Sequence, residues 1–159
     1  MRGSPEVINK LNEMLRGELA ALNQYFLHAS LCKKWGYLRL HKKIYDESIE
    51  EMQHAERLID RILFLEGIPI VNDPFKITVG KDVREVLESD LTLEREGLPE
   101  LKSGILLCLE QADTGTRELL EHILVSAEEH IQWLEAQNSL IKQVGYENYC
   151  AQQIQVSSG

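Results

Sequence analysis

The 159-residue chain contains no apolar run near the roughly 20 residues that a membrane span needs, and no charged-then-apolar leader. A cytoplasmic address, with no membrane as partner, is therefore expected. Cysteine is scarce: Cys32, Cys108 and Cys150 are scattered, odd in number and lack CxxC spacing. That argues against a disulfide framework or a zinc knuckle and for idle thiols in a reducing compartment. Positive charge is also short, with 17 Lys and Arg against 26 Asp and Glu and a formal net charge of −9. Such a chain repels nucleic-acid phosphates. It is compatible with cations, though acidity alone selects none. Proline occurs only at 5, 69, 74 and 99, which leaves long stretches free for helices. The length and the 43 % hydrophobic content suit one soluble domain, 1–159, with one core.

What is present is helical. Ser4-Pro5-Glu6 has the pattern of an N-cap, a first-turn proline and an acid at the positive end of the helix dipole. It opens a helix predicted to reach about Trp35 and stop at Gly36. A second helix is expected from about Leu40 to Glu66, ended by Gly67. Residues 67–81 contain two prolines and two glycines and lack a helical period. Asp82-Val83-Arg84-Glu85 has the form of a capping box for a third helix reaching about Ala112. Pro99 should kink or break that helix. Asp113-Thr114-Gly115 separates it from a fourth helix ending at Val144, before Gly145, and residues 146–154 suit a short fifth. Short links make the first two helices, and the next two, antiparallel hairpins. The long link of about 15 residues could extend roughly 50 Å, more than the ~39 Å of a 26-residue helix. It can therefore run the length of the bundle and set helices two and three parallel.

An inward seam stepping by three and four residues passes through Leu11, Leu15, Glu18, Leu22 and Tyr25 on helix one. On helix two it passes through Ile44, Ser48, Glu51, Ala55 and Leu58, with His54 beside it. On helix three it meets Leu87, Leu91, Glu94 and Leu98, and on helix four Ile123, Ala127, His130 and Leu134. Taken singly, each glutamate is better explained by a seam drawn one residue out, leaving it at the surface. Together they point inward, because an unpaired core carboxylate is costly and Glu51-x-x-His54 sets two ligands on one helical face. A bundle holds two metal ions with a glutamate from each of two helices and a Glu-x-x-His from each of the others. Carboxylate oxygen and imidazole nitrogen suit iron better than structural zinc.

Glu18, Glu51-x-x-His54, Glu94 and His130, with Met52 inside the second motif, resemble bacterioferritin. The resemblance runs nearly end to end through Asn23-Gln24-Tyr25-Phe26-Leu27-His28, Arg61-Ile62-Leu63-Phe64-Leu65-Glu66-Gly67 and Trp133-Leu134-Glu135. It implies an all-α, ferritin-like four-helix bundle with one long crossover and a short C-terminal helix. It further implies a cage of two dozen subunits that oxidises Fe(II) with dioxygen or peroxide and stores a ferric mineral. In that family Glu18, Glu51, His54, Glu94 and His130 would ligate a di-iron site and Met52 would ligate haem b. A small ferredoxin is the implied partner for iron release.

The fourth-helix motif departs from the family. Alanine stands at 127 where the family has glutamate, and Glu128 is turned about 100° away. Two functions compete on that basis. One is a ferroxidase subunit of an iron-storage cage. The other is a haem-carrying or structural subunit of a cage mixed with a second subunit type, its own di-iron site disabled. A ferritin-like enzyme acting on peroxide or an organic substrate is the weakest, since no rubredoxin-like cysteine module is present. The missing ligand predicts impaired oxidation, with one iron held by Glu18, Glu51 and His54 and a weaker one near Glu94 and His130. Tyr25 is expected to be a packed core residue or, close to two irons, a donor of an electron or a hydrogen bond; Trp35 and Trp133 are expected to be packing. Asp46, Glu47 and Glu50 suit a solvated helix face about as well as an iron-entry or mineral-nucleation patch inside the cage. Tyr45, Ile49 and Met52 form a second apolar stripe, extended by Leu19 and Phe26, that suits a dimer interface carrying haem.

Overall fold

The computed structural model describes residues 1–156; residues 157–159 of the expected domain lie outside the described residues. Five helices follow one another: α1 (Pro5–Lys34), α2 (Leu38–Phe64), α3 (Val83–Glu110), α4 (Thr114–Val144) and α5 (Tyr146–Ala151). The first four form a four-helix bundle in which α1 packs on α2 and α3, and α4 packs on α3 and α2. The short α5 packs against α4 and ends earlier than the 154 expected.

The helix ends follow local chemistry. Asp82 Oδ1 accepts from the Glu85 N–H at 2.8 Å, and Glu85 Oε2 accepts from the Lys81 N–H at 2.7 Å. The box therefore closes one residue further out than its simplest form. Ser4 occupies the N-cap of α1, but its side chain makes no capping bond. At the C-termini of α1, α2 and α3, paired 6→1 and 5→2 bonds close the last turn, as in Gly67 N–H to Ile62 C=O at 2.9 Å and Asp113 N–H to Cys108 C=O at 2.9 Å. Gly36 fills the left-handed position after α1, at φ 90°. The same position is held by Glu66 (φ 64°) after α2 and by Ala112 (φ 54°) after α3. Pro99 does not break α3, which continues through it.

The core is divided. One apolar cluster includes Tyr25, Ala29, Ile44, Leu87, Leu91 and Leu134; the other includes Leu11, Leu15, Leu58, Ile62, Leu120 and Ile123. Between them lies a polar layer at Glu18, Glu51, His54, Glu94 and His130. The expected seam is confirmed at most positions. Leu22 is only partly buried, and the neighbouring Ala21 takes its inward place.

The crossover climbs α1 on hydrogen bonds to side chains. Asn12 Oδ1 accepts from the Ile70 N–H at 2.8 Å, Arg16 Nε donates to the Pro74 carbonyl at 2.6 Å, and Gln24 Oε1 accepts from the Thr78 N–H at 2.9 Å. At the top the Gly80 N–H donates to His28 Nε2 at 2.9 Å. Because Nε2 accepts, the ring proton sits on Nδ1 and is donated to Asp90 Oδ1, 2.8 Å away. Gln24 Nε2 donates to the same oxygen at 2.9 Å. Gln24, His28 and Asp90 are all buried, so this latch joins α1, the crossover and α3 without an unpaired group. The climb sets α2 and α3 parallel, as expected. At the other end Arg61 grips the α3–α4 turn through Asp113 Oδ1 and Thr116 Oγ1, each at 2.9 Å.

Two substitutions test this geometry. A Cβ on Gly80 would lie 2.5 Å from the Val86 nitrogen, so Gly80→Ala should destabilise the fold by about 1–3 kcal/mol. Ala112→Gly should stabilise it by up to ~1 kcal/mol by relieving the left-handed alanine. Guanidinium midpoints measured on the two variants and the parent check both signs.

Candidate metal centre

Each helix of the bundle delivers part of the polar layer. Glu51 and His54 come from α2, spaced three residues apart on its inward face; Glu18, Glu94 and His130 come from α1, α3 and α4. The five predicted ligands are brought together. Ligand atoms of Glu18, Glu51 and His54 lie within 4.8 Å of one another, as do those of Glu51, Glu94 and His130. Glu51 belongs to both groups, so the site consists of two adjoining triads that share one carboxylate. His54 Nδ1 is 3.4 Å from Glu51 Oε2 and 3.6 Å from Glu18 Oε2. His130 Nδ1 is 2.9 Å from Glu94 Oε1, which also accepts from the Tyr25 hydroxyl at 2.6 Å. Tyr25 therefore fills the core and donates a hydrogen bond to Glu94.

Glu18 Oε2 is buried and makes no hydrogen bond. An orphaned carboxylate oxygen costs stability unless a cation or proton supplies the partner. A cavity of about 220 Å³ bordered by Glu18, Tyr25, Glu51, His54, Glu94 and Ala127 opens toward the surface between α1 and α3. Oxygen and nitrogen donors without sulfur, arranged as two adjoining triads of which all but His130 border that space, fit two hard or borderline divalent cations.

A profile of the ferritin-like domain family matches residues 8–144. The chain is 45 % identical over 152 residues to the bacterioferritin of Mycobacterium leprae, covering 96 % of each chain. It is 43 % identical over 149 residues to the bacterioferritin of Brucella melitensis, covering 94 % of this chain and 92 % of that one. A bacterial ferritin of Pseudomonas aeruginosa is 46 % identical over 155 residues, covering 97 % of this chain and all of the relative. The chain belongs to the bacterioferritin family.

Against the bacterioferritin pattern, Ala127 is buried and borders the cavity, so a carboxylate is lacking from α4 beside His130. A nearby acid was not recognised from sequence as part of the site. Glu47, one turn before Glu51, is buried, and its Oε2 lies 3.7 Å from His130 Nδ1. The four-residue spacing from Glu51 was the available signal, since i and i+4 share a helical face. Of its two neighbours in the acidic cluster, Asp46 is exposed and pairs with Lys42, while Glu50 is half-buried against Ser126. Trp133 packs, as expected, stacked on His130.

Met52 directly follows Glu51 and therefore points away from the site. It is 44 % exposed, with Tyr45 at 40 % and Phe26 at 53 % on the same outer region. The rings of Phe26 and Tyr45 are 6.2 Å apart between centroids.

Burial and neighbouring charge favour the protonated forms of Glu18, His54 and His130. Burial pushes the Glu18 carboxyl up, despite the opposing pull of His54. Burial alone would lower His54, but Glu18, Glu50 and Glu94 outweigh it and hold the imidazole above its ordinary 6.5. His130 is likewise raised: burial opposes protonation, while Glu94, Glu47 and Asp90 favour it more strongly. Raised imidazole values stabilise the metal-free fold below the unfolded value of 6.5, and that contribution is lost as pH rises through the folded values. A divalent cation must displace these protons. Calorimetric titration at neutral pH, in buffers of differing ionisation enthalpy, should show net proton release and an affinity that weakens as pH falls. Buffer-independent heats would contradict the protonated site.

Proposed function

We propose that this chain is a single-domain subunit, spanning 1–159, of an iron-storage cage and that it oxidises Fe(II) at the two-triad site. Family membership supports iron storage as its broad role. The observation that carries the finer proposal is the pair of triads sharing Glu51, together with the unpartnered Glu18 oxygen. Fe(II) is the substrate, and dioxygen or peroxide accepts its electrons. Glu18, Glu51 and His54 bind one ion, and Glu51, Glu94 and His130 the other. Tyr25 orients Glu94, leaving the second oxygen of that carboxylate for metal. Fe(III) then passes inward to the mineral, aided by Asp46 and Glu50. Two irons held side by side let both donate electrons to one oxidant. No helix among the described residues is long and apolar enough to cross a membrane, and we place the assembly in the cytoplasm.

The outer face of α2 suits haem b at a two-fold interface between like chains. Met52 offers a soft thioether there, beside exposed Phe26 and Tyr45, and one Met52 from each chain would hold the iron. Bound haem supplies one-electron chemistry, which fits reduction of stored iron by a small ferredoxin. Ala127 favours the alternative of a haem-carrying or structural subunit in a mixed cage with its own ferroxidase site disabled.

Rapid mixing of the pure assembly with Fe(II) and oxygen separates the two. Storage with ferroxidase chemistry predicts a fast initial phase that Glu51→Ala slows at least about tenfold, since it removes the shared ligand. A parent rate no faster than that of Glu51→Ala would instead identify the disabled subunit. Met52→Leu should lose the Soret band while Fe(II) oxidation persists. An unchanged haem spectrum in that variant would remove Met52 as ligand.

A further inference from the structure

The acid that replaces residue 127 is on a different helix. We propose that Glu47 is the sixth protein ligand of the site, supplying from α2 the carboxylate that Ala127 cannot supply from α4. This rests on the two-metal proposal above and adds a residue to it.

The placement of Glu47 is the first support. Its side chain is only 9 % exposed, an unusual state for a helix glutamate with solvent within reach. One oxygen, Oε1, is held by Lys43 Nζ at 2.8 Å, and Lys43 itself lies over the Trp133 ring, 5.1 Å from its centroid. The other oxygen, Oε2, is turned to His130, 3.7 Å from Nδ1. That is too long for a hydrogen bond. Donors about 2.1 Å from a shared metal are ~3.0 Å apart at a right angle and ~3.6 Å apart at 120°, so this distance suits an ion shared with His130. Glu47 stands outside both 4.8 Å groups, so its carboxylate swings inward to join Glu51 and Glu94 on that ion. Another proposed pair, His54 Nδ1 and Glu18 Oε2, has a similar spacing of 3.6 Å.

The second support is the vacancy in side-chain volume. Ala127 presents only a methyl group to the cavity, so α4 offers no carboxylate of its own there. The third is charge. Glu18, Glu51 and Glu94 together carry three negative charges against the four positive charges of two divalent cations. Glu47 makes the count equal, and it adds its charge at the half of the site where residue 127 contributes none. Lys43 acts as a positioning residue. It holds Oε1 from the solvent side and leaves Oε2 free to bind metal.

The test uses the full-length assembly, stripped of iron and titrated anaerobically with Co(II). Visible d–d absorption reports the ligand field and calorimetry the stoichiometry. The parent should bind two Co(II) per subunit. Glu47→Gln should keep one and weaken the other at least tenfold, with the lost absorption belonging to the His130 half. Adding Ala127→Glu to Glu47→Gln should restore the second ion. Light scattering and far-ultraviolet circular dichroism establish that the variants assemble. Should Glu47→Gln fail to do so, Glu47→Asp, which keeps the charge but withdraws it by one methylene, should show the same selective loss. Two ions bound by either variant with the parent's affinities would overturn the role of Glu47 and leave the two-metal site standing. A parent that binds no Co(II), or a Glu51→Ala variant that binds two, would overturn the two-metal site and this ligand with it.

Discussion

The structure depends on how a bundle tolerates a layer of carboxylates at mid-height. Glu18, Glu51 and Glu94 sit between two apolar clusters, where an unpaired ionised group would cost several kcal/mol. The cost is met locally. Tyr25 and His130 both serve one oxygen of Glu94, and His54 stands between Glu18 and Glu51. The leucines and isoleucines above and below provide the cohesion that this layer does not. What remains unsatisfied, an excess of negative oxygens and one orphaned atom, is what a cation would satisfy. A bound cation would return the stability that the layer forgoes.

The helices, the two hairpins and the parallel setting of α2 and α3 were legible because each leaves a local mark. An apolar stripe interrupted by a glutamate on each of α1, α2 and α3, and by His130 on α4, marked the inward polar layer. Gly36 and Gly145 marked two helix ends. Glu66 and Ala112 did not mark theirs, since a left-handed residue other than glycine has no sequence sign and is imposed by the closing bonds of the turn. Pro99 does not break α3, since neighbouring turns and packing carry a helix past one missing donor.

Glu47 and Asp90 were harder to read. Each lies one turn before a site glutamate, Glu51 and Glu94, yet each has charged or polar neighbours typical of a solvated face. Their burial depends on partners distant in sequence: His130 beside Glu47, and His28 with the crossover around Asp90. No periodicity within α2 or α3 encodes those partners. Glu51 and Met52 show the converse case, where adjacent residues face opposite sides because the helix turns about 100° per residue. One helix thus serves the interior and the outer surface at the same level.

The latch at Asp90 also bears on how the molecule opens. Its one oxygen receives both Gln24 and His28, and those two side chains in turn hold the Thr78 and Gly80 amides. Releasing Asp90 would leave the upper crossover with misaligned acceptors, so the strap and α3 come free in one cooperative step. The amide hydrogens of Thr78 and Gly80, although they belong to a segment without helix, should therefore exchange with solvent on the slow timescale of the bundle core.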